Sequence, residues 1–220
     1  MPSSLVCQIS SIVRIVTVLS PKSVLDIGPG FGKYGVLCRE YLDVNGGWQE
    51  TPSYPPPWRT TIDCIEVWPQ CVSPIHRYVY DNVFVGNAME VLPRLGKGSY
   101  DIALVLDVLE HFSAEEGAEF MALALEVARL AIVSVPRTEM PQEAAFGNDY
   151  ERHRSYWPPR RLRDPAPATH IVESLSLANG GRVCLLSSDQ AGLREAARIV
   201  GRELWTLDRS ALLGWLHLRR

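Results

Sequence analysis

Apolar positions along this chain alternate between two spacings. Leu5, Ile9, Ile12, Val13, Val16 and Leu19 recur at helical intervals and Pro21 stops them, which predicts an amphipathic helix over residues 4–19. Ser23 to Ile27 is a short apolar run ending in glycines, as a strand buried on both faces would be. Lys33 to Tyr41 reads as a helix opening from the glycine loop. Thr61 to Val67 and Val83 to Val85 read as strands, with a helix over Pro74 to Tyr80 between them. Tyr100 to Leu106 is the most apolar strand. Ser113 and Glu116 form a capping box that opens a helix to about Arg129, with Phe120, Leu123, Ala124 and Val127 on one face. Ala131 to Val135, closed by Pro136, is a fifth strand. Strands separated by helices predict an α/β sheet with right-handed crossovers.

The pattern breaks in two places. Residues 43–60 hold Gly46-Gly47, Pro52 and Pro55-Pro56-Pro57 among Trp48, Tyr54 and Trp58, an insertion that is either a lid or a loop whose aromatics pack on the body. After strand five, Tyr156 to Leu162 reads as a short helix interrupted by Pro158-Pro159. Ile171 to Leu177 and Arg182 to Leu186 then flank Asn179-Gly180-Gly181, a hairpin signal that makes the closing strands antiparallel. From Asp189, helical spacing returns through Leu193, Ala197, Val200 and Leu204 to Leu212, Trp215 and Leu216. The expected organisation is one domain over 1–188 and a helical tail over 189–220. The tail either packs on the body or joins two copies as a homodimer.

Composition narrows the classes. Of 220 residues, 46% are hydrophobic and 21% charged, the balance of a globular chain rather than a disordered one. The formal net charge of −3 provides no broad basic field, so nucleic acid is a disfavoured partner. No apolar stretch is long enough to span a bilayer, and residues 5–19 lack the basic start and cleavage site of a signal peptide. The five cysteines are odd in number and contain no C-x-x-C pair. They read as packed thiols in a reducing, cytoplasmic setting.

The sharpest chemical signal is Val24-Leu25-Asp26-Ile27-Gly28-Pro29-Gly30-Phe31-Gly32. A glycine turn between a strand and a helix lets a ligand approach backbone closely. Gly30 to Gly35 also matches G-x-G-x-x-G, the dinucleotide fingerprint. Asp26 decides between the two ligands: a carboxylate at the strand end repels a pyrophosphate and suits a cationic amine.

This segment resembles motif I of the class I S-adenosylmethionine-dependent methyltransferases, particularly small-molecule and quinone-biosynthesis-like members. Glu66 ends the second strand, Gly86-Asn87-Ala88 follows the third, and Asp107-Val108-Leu109-Glu110-His111 follows the fourth, all in the family's order. The resemblance covers about residues 20–188. It implies a Rossmann-like three-layer α/β sandwich with a mostly parallel seven-stranded sheet and an antiparallel last strand. It implies S-adenosylmethionine as cofactor, S-adenosylhomocysteine as product and a small-molecule acceptor. The implied cofactor residues are Asp26, Gly28, Gly30, Gly32, Glu66, Val67, Asn87, Ala88 and Asp107. Asn87 stands where the family commonly has Asp, and its amide oxygen can still accept a hydrogen bond. Trp68 either stacks on the adenine or packs under the next helix.

Candidates for the chemistry lie beyond strands four and five, where open α/β sheets bind ligands. His111 is the candidate general base, the alternative being that it orients its loop. Asp107, Glu110 and His111 would share one face if helical, and His153 could complete a divalent-metal site. Some quinone and RNA methyltransferases carry a similar E-x-x-E-H site. Residues 142–157 are polar and aromatic, and nominate Asn148, Glu151, His153 and Trp157 as acceptor contacts; a solvated loop anchored by Tyr150, Tyr156 and Trp157 is the competing reading. The arginines of 152–163 would suit an anionic acceptor or simply form a solvated face. Three other functions share the loop: a nicotinamide-dependent oxidoreductase, an aminopropyl transferase, and a non-catalytic cofactor-binding protein.

Overall fold

The computed structural model describes residues 4–45, 54, 56–163, 168–172 and 181–202. A turn over Val6–Gln8 leads into α1 (Ile9–Leu19), then β1 (Ser23–Ile27) and α2 (Lys33–Cys38), which continues as wider turns over Arg39–Val44. Next come β2 (Thr61–Glu66), α3 (Pro74–Val79), β3 (Asn82–Val85), α4 (Ala88–Val91) and β4 (Tyr100–Leu106). The chain closes with α5 (Ala114–Val127), β5 (Ala128–Pro136), α6 (Pro159–Arg163), β6 (Ala168–Val172) and β7 (Gly181–Ser187). A helix, α7, runs through 190–202.

The strands form one seven-stranded sheet in the order β3-β2-β1-β4-β5-β7-β6. β1 to β5 are parallel, and β7 runs antiparallel between β5 and β6. Side-chain alternation splits the sheet cleanly. Leu25, Ile27, Ala103, Val105, Ala131 and Val133 face α5, with Phe120, Met121 and Ala124. Val24, Ile62, Leu104, Ile132 and Leu185 face α1, α2 and α7, through Ile12, Tyr34, Leu193 and Val200. Both faces of the central strands are therefore apolar, which explains their unbroken hydrophobic runs. Strand order reverses between β1 and β4, so a crevice opens at their carboxyl ends.

Several boundaries shift. The helix expected to reach Arg129 ends at Val127, because Ala128 already pairs with Tyr100. The penultimate strand already begins at Ala168, three residues before the expected Ile171, and runs through Val172; residues 173–177 and the proposed turn at 179–180 fall outside the described residues. The short helix begins at Pro159, the second proline, which suits its first turn. α7 packs on the body through Leu193, Ala196 and Val200, while residues 203–220, including the proposed dimer contact, lie outside the description. Half of the 43–60 insertion does too, but its end is tied down: Asp43 accepts from the Arg59 and Thr60 amides, and Trp58 covers Arg39 at 4.1 Å. Of its described aromatics, Trp58 packs on the body whereas Tyr54 is 87% exposed. Among the described residues no helix is long and apolar enough to cross a membrane.

Candidate functional site

The crevice contains a cavity lined at its floor by Asp26, Gly28, Gly30, Glu66, Val67, Asn87, Ala88 and Asp107. Eight of the nine residues named for the cofactor therefore converge. The ninth, Gly32, sits behind the loop, caps α2 in a left-handed conformation (φ 87°) and packs on Ile75 and His76. Gly28, at φ 69°, could not carry a side chain either: a Cβ there would lie 2.8 Å from Val108.

Two buried carboxyls flank the loop. Asp26 is 2% exposed and accepts a hydrogen bond from the Tyr80 hydroxyl at 2.6 Å. Burial pushes it up to about 6, against the lowering effect of that hydroxyl. Glu66 is also buried and accepts from the Trp68 amide at 2.8 Å; burial pushes it to about 7. Trp68 itself does not line the cavity. The Asn87 amide oxygen caps α4 by accepting from the Met89 amide, and its second lone pair stays available to a ligand.

The N-terminal segment closes one side. The Leu5 amide donates to Asp107 Oδ2 at 3.0 Å, and Lys33 Nζ donates to the Ser4 carbonyl at 2.8 Å. Asp107 also accepts from the Ser134 hydroxyl, and its φ of 56° turns it away from the residues that follow. The helical face proposed for Asp107, Glu110 and His111 is consequently absent. Leu109–His111 is a single tight turn, and Asp107 belongs to the cavity floor.

Glu110, His111 and His153 do come together, with ligand atoms all within 4.8 Å of one another. The His111 and His153 rings meet edge-on at 5.0 Å. Each ring points Nδ1 at a backbone carbonyl, His111 at Arg152 and His153 at Met140. A carbonyl only accepts, so Nδ1 carries the proton and each Nε2 keeps a lone pair. Metal-binding histidines usually donate the other ring N–H to a carbonyl or carboxylate in this way. Burial lowers the His111 pKa, keeping the ring neutral at pH 7. Glu110 is 3% exposed, its Oε2 has no partner, and burial pushes its pKa well up. An orphaned carboxyl beside two imidazole lone pairs fits a divalent cation.

Acceptor candidates separate. His111, Asn148 and Glu151 line the cavity, along with Tyr150, expected as a loop anchor, and Arg154 of the arginine run. His153 stands behind His111. Trp157 is misplaced by the sequence reading: at 1% exposure it lies in the core, its indole N–H donating to the Leu109 carbonyl and its ring over Gly117. The loop over 138–155 is held by its polar residues, such as Asn148 and Gln142, so a dense polar stretch was no guide to which aromatic was exposed. Lys33 and Tyr34, which also line the cavity, went unnamed although they directly follow the glycine loop.

No family model and no curated protein matches the chain. Solved structures do. The bifunctional kinase-methyltransferase WbdD aligns with TM-score 0.56 and 19% identity, over 85% of this chain and 40% of its own. The N-terminal domain of EvdMO1, crystallised in the presence of SAH and D-fucose, gives 0.55 and 11%, over 83% of both chains. A SAM-dependent methyltransferase from Archaeoglobus fulgidus gives 0.54 and 13%, over 82% of this chain and 93% of its own. The chain thus has the class I methyltransferase fold and spans about two fifths of WbdD.

Proposed function

We propose that this protein transfers a methyl group from S-adenosylmethionine to a small-molecule acceptor. The observation that carries the reading is the charge of the cavity. Asp26, Glu66, Asp107, Glu116 and Glu151 line it against only Lys33 and Arg154, and Lys33 already holds Ser4. Such a wall attracts a ligand bearing an ammonium and a sulfonium and repels a pyrophosphate. Bound S-adenosylmethionine supplies an activated methyl, so the chain's task is to place a nucleophile in line with it. Asp26 would receive the ammonium, Glu66 the ribose hydroxyls, and the Asn87–Ala88 segment the adenine. His111 Nε2, neutral and free to accept, would take a proton from the acceptor.

Calorimetric titration of the purified chain with S-adenosylhomocysteine and with NADH tests the cofactor assignment. Binding of the first and not the second is expected. NADH binding alone would make the protein an oxidoreductase-type nucleotide binder. Methyl acceptance across a metabolite panel separates an enzyme from a cofactor-binding protein that does no chemistry.

The orphaned Glu110 carboxyl favours a second reading, in which Glu110, His111 and His153 hold a divalent cation. The mixed nitrogen and oxygen set suits Mn, Fe, Co or Zn better than Mg. A cation there would lower the pKa of an acceptor hydroxyl, doing without an imidazole base. Mn2+ titration followed by proton relaxation should show one site that Glu110→Gln removes. No binding in the unsubstituted chain leaves His111 as base.

A further inference from the structure

α3 lies behind the glycine loop, and none of residues 74–80 lines the cavity. Yet α3 and its capping residue, Tyr80, send two polar side chains, four positions apart, to the loop and its strand. His76 is fully buried. Its Nδ1 lies 3.2 Å from the Ser73 amide, which can only donate, so Nδ1 is the unprotonated nitrogen. Nε2 therefore carries the proton and donates to the Gly30 carbonyl at 2.9 Å. The His76 pKa is lowered, chiefly by burial, which keeps this tautomer neutral. Four residues on, Tyr80 donates to Asp26 Oδ2, leaving Oδ1 for a ligand.

The loop needs an outside hold. Gly28, Gly30 and Gly32 are all at positive φ, where backbone is soft. Gly28 N–H is fixed by the Ile65 carbonyl and Gly32 N–H by the Pro29 carbonyl within the loop. Between them the Gly30 N–H faces the Glu66 carboxylate, and the Gly30 carbonyl is the group His76 reaches across 46 residues of sequence.

We propose that His76, with Tyr80, is a positioning residue that holds the Gly30 peptide and the Asp26 carboxyl in the conformation that receives the cofactor. The loop-holding part is independent of ligand identity, while its effect on S-adenosylhomocysteine rests on the function proposed above. Amide geometry gives a selective test. In His76→Gln the side-chain nitrogen replaces Nε2 and still reaches Gly30. In His76→Asn only the Ser73 contact survives.

Hydrogen–deuterium exchange of the ligand-free protein should show faster exchange over residues 28–35 in His76→Asn, by about tenfold, and near-wild-type exchange in His76→Gln. S-adenosylhomocysteine affinity should fall about three- to tenfold in His76→Asn and much less in His76→Gln, as expected for one hydrogen bond. Equal behaviour of the two variants would overturn the proposal. If the exchange contrast appears but wild type binds no S-adenosylhomocysteine, the clamp stands and the cofactor assignment fails. Nitrogen NMR of wild type needs no variant to fold: a protonated Nε2 on His76 at pH 7 is expected, and a protonated Nδ1 refutes the clamp.

Discussion

Asp26 should act against the stability of the empty protein, and its neutralisation should show this. Its carboxyl is raised from 3.8 to about 6 by burial. A shift of roughly two units is worth about 3 kcal/mol between the protonated and ionised forms. Because the folded-state pKa is the higher one, the fold binds the proton more tightly than the unfolded chain does. The protonated carboxyl's contribution is complete below about pH 4 and disappears as pH rises through 6. Glu66, raised from 4.5 to about 7, acts in the same direction. Asp26→Asn keeps an acceptor for the Tyr80 hydroxyl and has no charge to bury. Urea unfolding followed by tryptophan fluorescence should find the two proteins alike at pH 4, with the variant more stable at pH 8 by up to roughly 3 kcal/mol. The same substitution should abolish tight S-adenosylhomocysteine binding. A stability difference that does not change between pH 4 and pH 8 would refute the argument. Wild-type affinity for the ligand should rise with pH across the same interval, since the ammonium requires an ionised partner.

Two substitutions test the packing beneath the site. A Cβ at Gly35 would lie 2.5 Å from the Tyr80 ring, so Gly35→Ala should cost about 1–3 kcal/mol of stability, measured by thermal melting, and Tyr80→Leu in the same chain should restore part of it. Arg39, 4% exposed, donates to Asp43, Asp81 and the carbonyls of Thr60 and Val79. Arg39→Met strands the Asp43 carboxylate in the interior and should cost about 3–5 kcal/mol in denaturant unfolding, an unchanged midpoint counting against the network.

What could be read in advance follows from how local each determinant is. β1 and β4 were placed to the residue because strands buried on both faces show continuous apolar runs, and the glycine turn states its own backbone demand. The convergence of the named residues on the cavity floor followed, since parallel topology brings the ends of β1 to β4 together without any long-range detail. Gly35 shows where this stops. Its place in G-x-G-x-x-G suggests a fingerprint glycine, but the residue that requires it is Tyr80, 45 positions later. Trp157 fails for the same reason. Its burial depends on the absence of a side chain at Gly117, across the fold and invisible to periodicity. His153 was correctly associated with Glu110 and His111, but Asp107 was not separable from them in sequence, because one residue at positive φ redirects its side chain. The half of the cavity proposed for the cofactor is thus built from neighbours in sequence and topology, whereas the half proposed for the acceptor is built from a loop whose path only tertiary contacts define. A search for the acceptor should accordingly begin from the walls made by His111, Asn148, Tyr150 and Arg154.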